Sequence, residues 1–160
     1  MTDSKPPADC PSVDLVPATG SAVEWIHALL EHADLPTADL DAGPTADADG
    51  PALYVVRADA GRVGCIGIER YGDAGLLRSA AIQERHRGEG YGRTAVRALE
   101  SEAREAGIET LYLLTTTARG FFGSLGYEET DRVDVPDAVR GSAEFSDLCP
   151  DTAVVMRRTL

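Results

Sequence analysis

The chain has 160 residues, 43% hydrophobic and 26% charged, which suits one domain whose core needs no disulfide support. Fifteen Lys and Arg against twenty-seven Asp and Glu give a formal net charge of −12, which leaves no basic stripe for a nucleic-acid backbone. No apolar run approaches the roughly 18 residues of a membrane helix, and residues 1–11 hold no apolar stretch of a secretory signal, so a soluble cytoplasmic protein is expected.

In chain order, residues 1–11 read as a polar, Pro-rich, disordered tail and residues 12–160 as a single domain. Val13 to Pro17 reads as a short strand. Ser21-Ala22-Val23-Glu24 is a capping-box pattern opening a helix, on which Val23, Ile26, Leu30 and Ala33 recur at helical spacing until Leu35-Pro36. Residues 39–51 form a polar loop of turn formers. Ala52 to Ala58, Arg62 to Tyr71 and Gly75 to Ile82 read as three strands, joined by turns at Asp59-Ala60-Gly61 and Gly72-Asp73, which makes an antiparallel meander. From Gly90 to Ala106 the period changes: Val96, Leu99, Ala103 and Ala106 mark a helix that Gly107 would cap. Glu109 to Thr116 returns as a strand, so the segment from Gly75 predicts a parallel strand-helix-strand crossover. Ala118 to Leu125 reads as a short helix ending at Gly126, Pro136 to Leu148 as one or two helical turns, and Asp151 to Leu160 as a last strand. The fold class is α/β (α+β): a mixed sheet, antiparallel in its first half, with helices on both faces.

Other composition signals are weaker. Lys5 is the only lysine, and concentrated salt would screen repulsion among so many carboxylates, so the charge suggests a halophilic cytoplasm; an ordinary acidic protein of a GC-rich genome is the alternative. Cys10, Cys65 and Cys149 show no CxxC spacing and suggest a reducing compartment. A three-thiolate site for a soft ion would need the tail cysteine and one inside an apolar strand, and His27, His32 and His86 are scattered, so no metal site is expected.

The strongest motif is Arg85-His86-Arg87-Gly88-Glu89-Gly90-Tyr91-Gly92, which follows a strand and opens the longest helix. Alternate glycines leave backbone N–H groups uncovered where a helix N-terminus has unpaired donors, a cradle for a pyrophosphate. No Gly-Lys-Ser/Thr follows, which excludes a Walker loop, and the last glycine falls one position early for the dinucleotide fingerprint. A glycine-rich turn with solvated arginines is the plain structural alternative.

With its neighbours, the motif resembles that of the GNAT superfamily of acetyl-CoA-dependent N-acetyltransferases. Arg85-His86-Arg87-Gly88-Glu89-Gly90 matches the family's Gln/Arg-x-x-Gly-x-Gly/Ala signature. Ala118-Arg119-Gly120-Phe121-Phe122-Gly123-Ser124-Leu125-Gly126-Tyr127 is similar to its second landmark, the short helix ending in Leu-Gly-Phe/Tyr. The likeness spans Val13 to Leu160 in element order. It implies acetyl-CoA as co-substrate, with pyrophosphate on residues 85–92 and the pantetheine arm paired to the backbone of Ala80, Ala81 and Ile82. A narrower likeness, to the small subfamily encoded beside arsenic-resistance genes, is carried by Leu113-Leu114-Thr115-Thr116-Thr117-Ala118, Phe121-Phe122, Glu144-Phe145 and Leu148-Cys149-Pro150. It implies acetylation of a small amine, arsenical amines included.

Acetyl transfer needs a neutral amine, a stabilised oxyanion and a departing thiolate. Glu69 and Asp73, flanking the turn before the motif strand, are candidates to accept the amine proton, with solvated hairpin charges as the alternative. The resemblance implies that a backbone N–H near Ala80 polarises the thioester carbonyl. It also places Phe122, counted among the cofactor-binding residues, where many relatives carry a proton-donating tyrosine. Tyr127 reads as core. Either the thiolate leaves unassisted or through water, or another group serves: Thr115, Thr116 and Thr117 are candidate donors, Thr116 as catalytic and Thr115 as substrate-binding candidate, with a structural place at the strand end as the alternative. Arg78, in an otherwise apolar strand, needs a partner: an anionic substrate group or Glu69 on the adjoining strand. Arg119 and Arg140 are further candidates for the substrate group, with solvated surface charges as the alternative. The function expected is transfer of acetyl to a small-molecule amine, with a homodimer open; a non-catalytic acetyl-CoA-binding or arsenic-sensing module and a protein N-acetyltransferase are the alternatives.

Overall fold

Alternating β-branched and aliphatic residues draw most of the chain into one sheet, and two longer amphipathic segments supply its covering helices. The computed structural model describes residues 12–18, 20–32, 52–59, 61–88, 90–115, 118–140 and 153–160. Its strands are Asp14–Pro17 (β1), Ala52–Ala58 (β2), Gly61–Tyr71 (β3), Ala74–Ile82 (β4), Thr110–Thr115 (β5), Glu128–Thr130 (β6) and Val154–Thr159 (β7). Its helices are Ser21–His32 (α1), Tyr91–Glu105 (α2), Arg119–Ser124 (α3) and Asp137–Arg140 (α4). The expected tail at 1–11, the loop at 39–51 and the turns beyond Arg140 lie outside the described residues.

The strands form one seven-stranded sheet in the order β1-β2-β3-β4-β5-β7-β6. β1 to β4 pair antiparallel, β4 and β5 pair parallel across the α2 crossover, and β7 runs antiparallel between β5 and β6. This is the mixed sheet that the strand and helix periods predict. β6 is new. Glu128, Glu129 and Thr130 carry no apolar alternation, and they become a strand by pairing with Arg157, Met156 and Val155 of β7.

Two layers of helix bury the sheet. α2 presents Ala95, Val96, Leu99 and Ala103 to Ile66, Leu77, Leu111 and Met156 on one face. On the other, α1 sets Ile26 and Leu30 against Leu53, Val55 and Cys65, while Val139 of α4 covers Leu76 and Tyr112. Ile26, Leu30, Leu76, Leu99 and Leu111 are each fully buried, and burial of such a side chain stabilises by roughly 1.5–3 kcal/mol.

β4 departs from regular alternation at one place. A regular β4 would place Arg78, Ala80 and Ile82 on one face. Instead Gly67 pairs with Arg78 and Cys65 with Ala81, so Ser79 and Ala80 together stand opposite Ile66. Ser79 takes φ +55, a left-handed conformation that sterics disfavour for any residue with a Cβ. The extra residue is a β-bulge, and it leaves Arg78 sharing its face with Ala81.

Candidate active site

The bulge lies where the sheet opens. β4 and β5 pair only through Ala74–Thr110, Gly75–Leu111 and Leu76–Tyr112. Beyond Leu76 no further pair joins them among the described residues, and β5 continues against β7 alone. Gln83 donates its N–H to Val63 O at 2.8 Å. By the alternation of a strand, the backbone groups of Ala81 then face β3, and those of Ala80 and Ile82 face the open edge. That edge can accept one more extended chain.

The edge runs into a cradle. After a 3₁₀ turn at Glu84–His86, Gly88 takes φ +80, and Gly90 takes φ +91 at the N-cap of α2. A side chain at either position would have to adopt the left-handed region. Among the described residues no side chain caps α2, and no acidic residue stands in its first turn. Its leading N–H groups and the positive end of its dipole are therefore available to an anion. Arg87 stands beside them with Nε on Ile82 O at 3.1 Å, Arg85 reaches Gln83 Oε1, and His86 packs edge-on against Tyr91 at 5.8 Å. A Cβ built on Gly92 would meet the Phe121 ring at 3.3 Å and Ile82 at 3.8 Å, so the Phe121 ring lies close against the first turn of α2. Glu89 lies outside the described residues.

Beneath the bulge is a buried charged group. The Arg78 side chain, 0% exposed, places NH1 on Glu69 Oε2 and Nε on Ser79 Oγ at 3.1 Å. Tyr71 donates its hydroxyl to Glu69 Oε1. Cys65 donates from Sγ to Ser79 O at 3.2 Å, and burial pushes its thiol up to about 12. A thiolate ligand at neutral pH is disfavoured there; Cys10 and Cys149 lie outside the described residues. Among the described residues, no group of three His, Cys, Asp or Glu side chains converges as a metal would require.

The structure thus gathers Ala80, Ala81 and Ile82 with residues 85–88 and 90–92 at one end of β4, and places Arg78 and Glu69 together below the bulge. It does not bring in Asp73. That residue is exposed in the turn before β4, and its backbone O accepts the Glu109 N–H at 2.7 Å. At about 3.3 Å per residue it stands roughly 20 Å from Ala80. Thr115 Oγ1 accepts the Ala118 N–H at 2.9 Å, a contact that opens α3, and Thr116 lies outside the described residues. Phe122 is buried in the core, edge-on to Phe121 and Tyr127. Tyr127 donates to Glu100 Oε2 at 2.9 Å, and burial, then the Glu100 charge, holds its phenol far above the usual range. Sequence reasoning gave Ser79 and Tyr71 no part, and quoted Phe121 only within the two family likenesses, with no role at the site. Only Phe121, one position before the landmark residue, had a signal that could have drawn attention.

The parted edge of β4 thus leads to the N-terminus of α2, where no described side chain caps the helix. The family model described as the acetyltransferase (GNAT) domain matches residues 49–129, which include the whole of this arrangement, and the chain belongs to that family. An uncharacterized N-acetyltransferase of Chlorobaculum tepidum is 32% identical over 78 residues, 48% of this chain and 50% of that protein, so the chain spans about half the length of the curated relative it matches. The structure of N-acetylglutamate synthase from Neisseria gonorrhoeae, complexed with coenzyme A and L-arginine, is similar with a TM-score of 0.74 at 19% identity, over 94% of this chain and 34% of that one. Rv2747 of Mycobacterium tuberculosis, in complex with CoA, is similar with a TM-score of 0.72 at 23% identity, over 94% and 99% of the two chains. At such identities the likeness is one of fold.

Proposed function

We propose that this chain, acting in the cytoplasm, transfers an acetyl group from acetyl-CoA to the amine of a small molecule. The observation that carries this reading is the parting of β4 from β5 beside the uncapped first turn of α2. The Ala80 and Ile82 backbone groups suit the amides of a pantetheine arm, as strand addition would. Gly88, Gly90, the leading N–H groups of α2 and the arginines Arg85 and Arg87 suit its pyrophosphate. The CoA in the gonococcal and mycobacterial structures supports the same donor.

In the transfer, the amine lone pair attacks the thioester carbonyl, the Ala80 N–H stabilises the oxyanion, and the C–S bond breaks to release CoA thiolate. A thiol with a pKa near 8.5 leaves without a dedicated acid. That matters here, because Phe122 has no proton to give and Tyr127 is committed to Glu100. Glu69 commits its carboxylate to Arg78 and Tyr71, so the acceptor ammonium loses its proton to water.

Release of CoA thiol over a panel of amino acids, polyamines, an amino-bearing arsenical and a lysine peptide tests the reading. The arsenical is included because of the narrower likeness to the arsenic-resistance subfamily. Turnover with a small amine is expected. Binding of acetyl-CoA without turnover across the panel overturns the transferase reading in favour of a binding module, and turnover with the peptide alone overturns the small-molecule acceptor. Sedimentation of the same preparation tests the homodimer.

A further inference from the structure

A left-handed Ser79 persists only where its surroundings hold it there. Two buried donors do so. Arg78 Nε reaches Ser79 Oγ, and Cys65 Sγ reaches Ser79 O from the neighbouring strand. The guanidinium is a rigid planar fork, so its NH1 contact to Glu69 fixes where Nε points. Glu69 is itself held by the Tyr71 hydroxyl. The bulge in turn sets the register of the strand end beyond it. A one-residue slip of β4 would exchange the backbone groups that face β3 with those that face the cleft, turning the Ala80 N–H away from the open edge.

We propose that Arg78, anchored on Glu69, and Cys65 clamp the Ser79 bulge and thereby aim the Ala80 N–H at the acetyl carbonyl, which makes Arg78 and Ser79 positioning residues of the transfer. The proposal rests on the acetyl-CoA reading of the open edge. It assigns Arg78 to the oxyanion donor rather than to the acceptor's charge.

The test uses the full chain with [13C]acetyl-CoA. Isotope-edited infrared spectroscopy reads the bound carbonyl stretch, calorimetry reads affinity for CoA, and kinetics use whichever panel amine turns over. In the native protein the bound carbonyl is expected below its free frequency. Arg78→Lys keeps a charge for Glu69 but has no fork, and Ser79→Ala keeps the strain but loses the tethered hydroxyl. Both should return the carbonyl toward its free frequency and lower kcat on the order of tenfold, with KM for acetyl-CoA and Kd for CoA within about twofold. Ser79→Gly accepts φ +55 without strain and should recover kcat to within about threefold of the native value, the reverse of what loss of packing would produce.

An unchanged carbonyl frequency in Ser79→Ala, or a Ser79→Gly no better than Ser79→Ala, overturns the clamp. So does a native protein that binds acetyl-CoA with its carbonyl at the free frequency, which leaves the functional reading standing. A native protein that binds no acetyl-CoA overturns that reading itself. If Arg78→Lys does not fold, the two Ser79 variants decide.

Discussion

Tyr127, on the turn after α3, donates its hydroxyl to the Glu100 carboxylate of α2 at 2.9 Å, tying the second landmark of the fold to the crossover helix. The other Glu100 oxygen accepts Arg97 NH1 and Arg158 NH1, each at 2.8 Å, so a carboxylate only 2% exposed has its charge answered from α2 and β7. Arg97 and Arg158 keep some contact with water, and their loss of a partner is cushioned. Tyr127→Phe leaves one buried carboxylate oxygen short of a donor and should destabilise by about 1–2 kcal/mol, and Glu100→Gln by about 2–3 kcal/mol. Urea unfolding at pH 7 measures both. Burial, followed by the Glu100 charge, keeps the Tyr127 phenol protonated where the unfolded chain releases its proton near pH 10. The folded state then holds more protons above pH 10, so this contribution is complete below pH 10 and stability falls as pH rises further. Tyr127→Phe should flatten that alkaline loss.

Cys65 should be inert in the folded protein. Its thiol is 1% exposed and pushed up to about 12 by burial, while an unfolded cysteine ionises near 8.5. A thiol reagent at pH 8 is expected to label Cys65 only at the rate of unfolding, as peptide mass spectrometry reads it. Labelling faster than urea-jump unfolding would contradict the buried placement. The sign is that of Tyr127: stability from the protonated thiol is present below the unfolded value and is lost as pH climbs toward 12.

Gly64 is required by a close approach of two strands. A Cβ there would lie 2.3 Å from Ala81 O, a backbone atom that cannot yield without moving β4. Gly64→Ala should destabilise by about 3 kcal/mol and weaken CoA binding as Ala81 shifts. Gly120, inside α3, has nothing within 4 Å of a built Cβ, so Gly120→Ala should be neutral or stabilise by up to about 1 kcal/mol. Denaturant midpoints of the pair read the contrast.

The cradle prediction separates strain from charge. Gly90→Asn brings a side chain that tolerates the left-handed region, and Gly90→Asp adds a negative charge beside the anion site. CoA affinity should fall modestly in the first and on the order of a hundredfold in the second, measured by calorimetry at low salt. Equal losses would mean that backbone shape alone governs the site.

The excess of acid over base leads to a prediction for salt. With a formal net charge of −12, the melting temperature should rise between dilute and molar KCl as self-repulsion is screened. A flat or falling curve would remove the halophilic reading of the composition.

Much of the cradle was legible because a glycine run between a strand pattern and a helix pattern has few other uses. The sequence alone places Arg85 to Gly92 at the N-terminus of α2, and Gly88 and Gly90 adopt positive φ there. Asp73 illustrates the limit. Its closeness to Glu69 in sequence suggested a shared site, but a strand carries the chain away at about 3.3 Å per residue, and Asp73 is left at the far end of β4. Phe122 shows another limit, since a short helix such as α3 exposes more positions than it buries, and the sequence alone did not say that Phe121 lies against the first turn of α2.

What the sequence by itself determined was local: the periods that make β2 to β5, α1 and α2, the cap at Gly107, and the bare glycine turn, all of which depend on residues within a few positions of one another. What only the tertiary structure decided depends on distant pairs. β6 is a strand because β7 offers it a partner, and Arg78 is satisfied because Glu69 stands on the next strand. The bulge at Ser79 exists because Arg78 and Cys65 hold it from two sides, against the preference of any residue with a Cβ. Propensity cannot report such a conformation, because the free energy that maintains it comes from contacts across the sheet rather than from Ser79 itself.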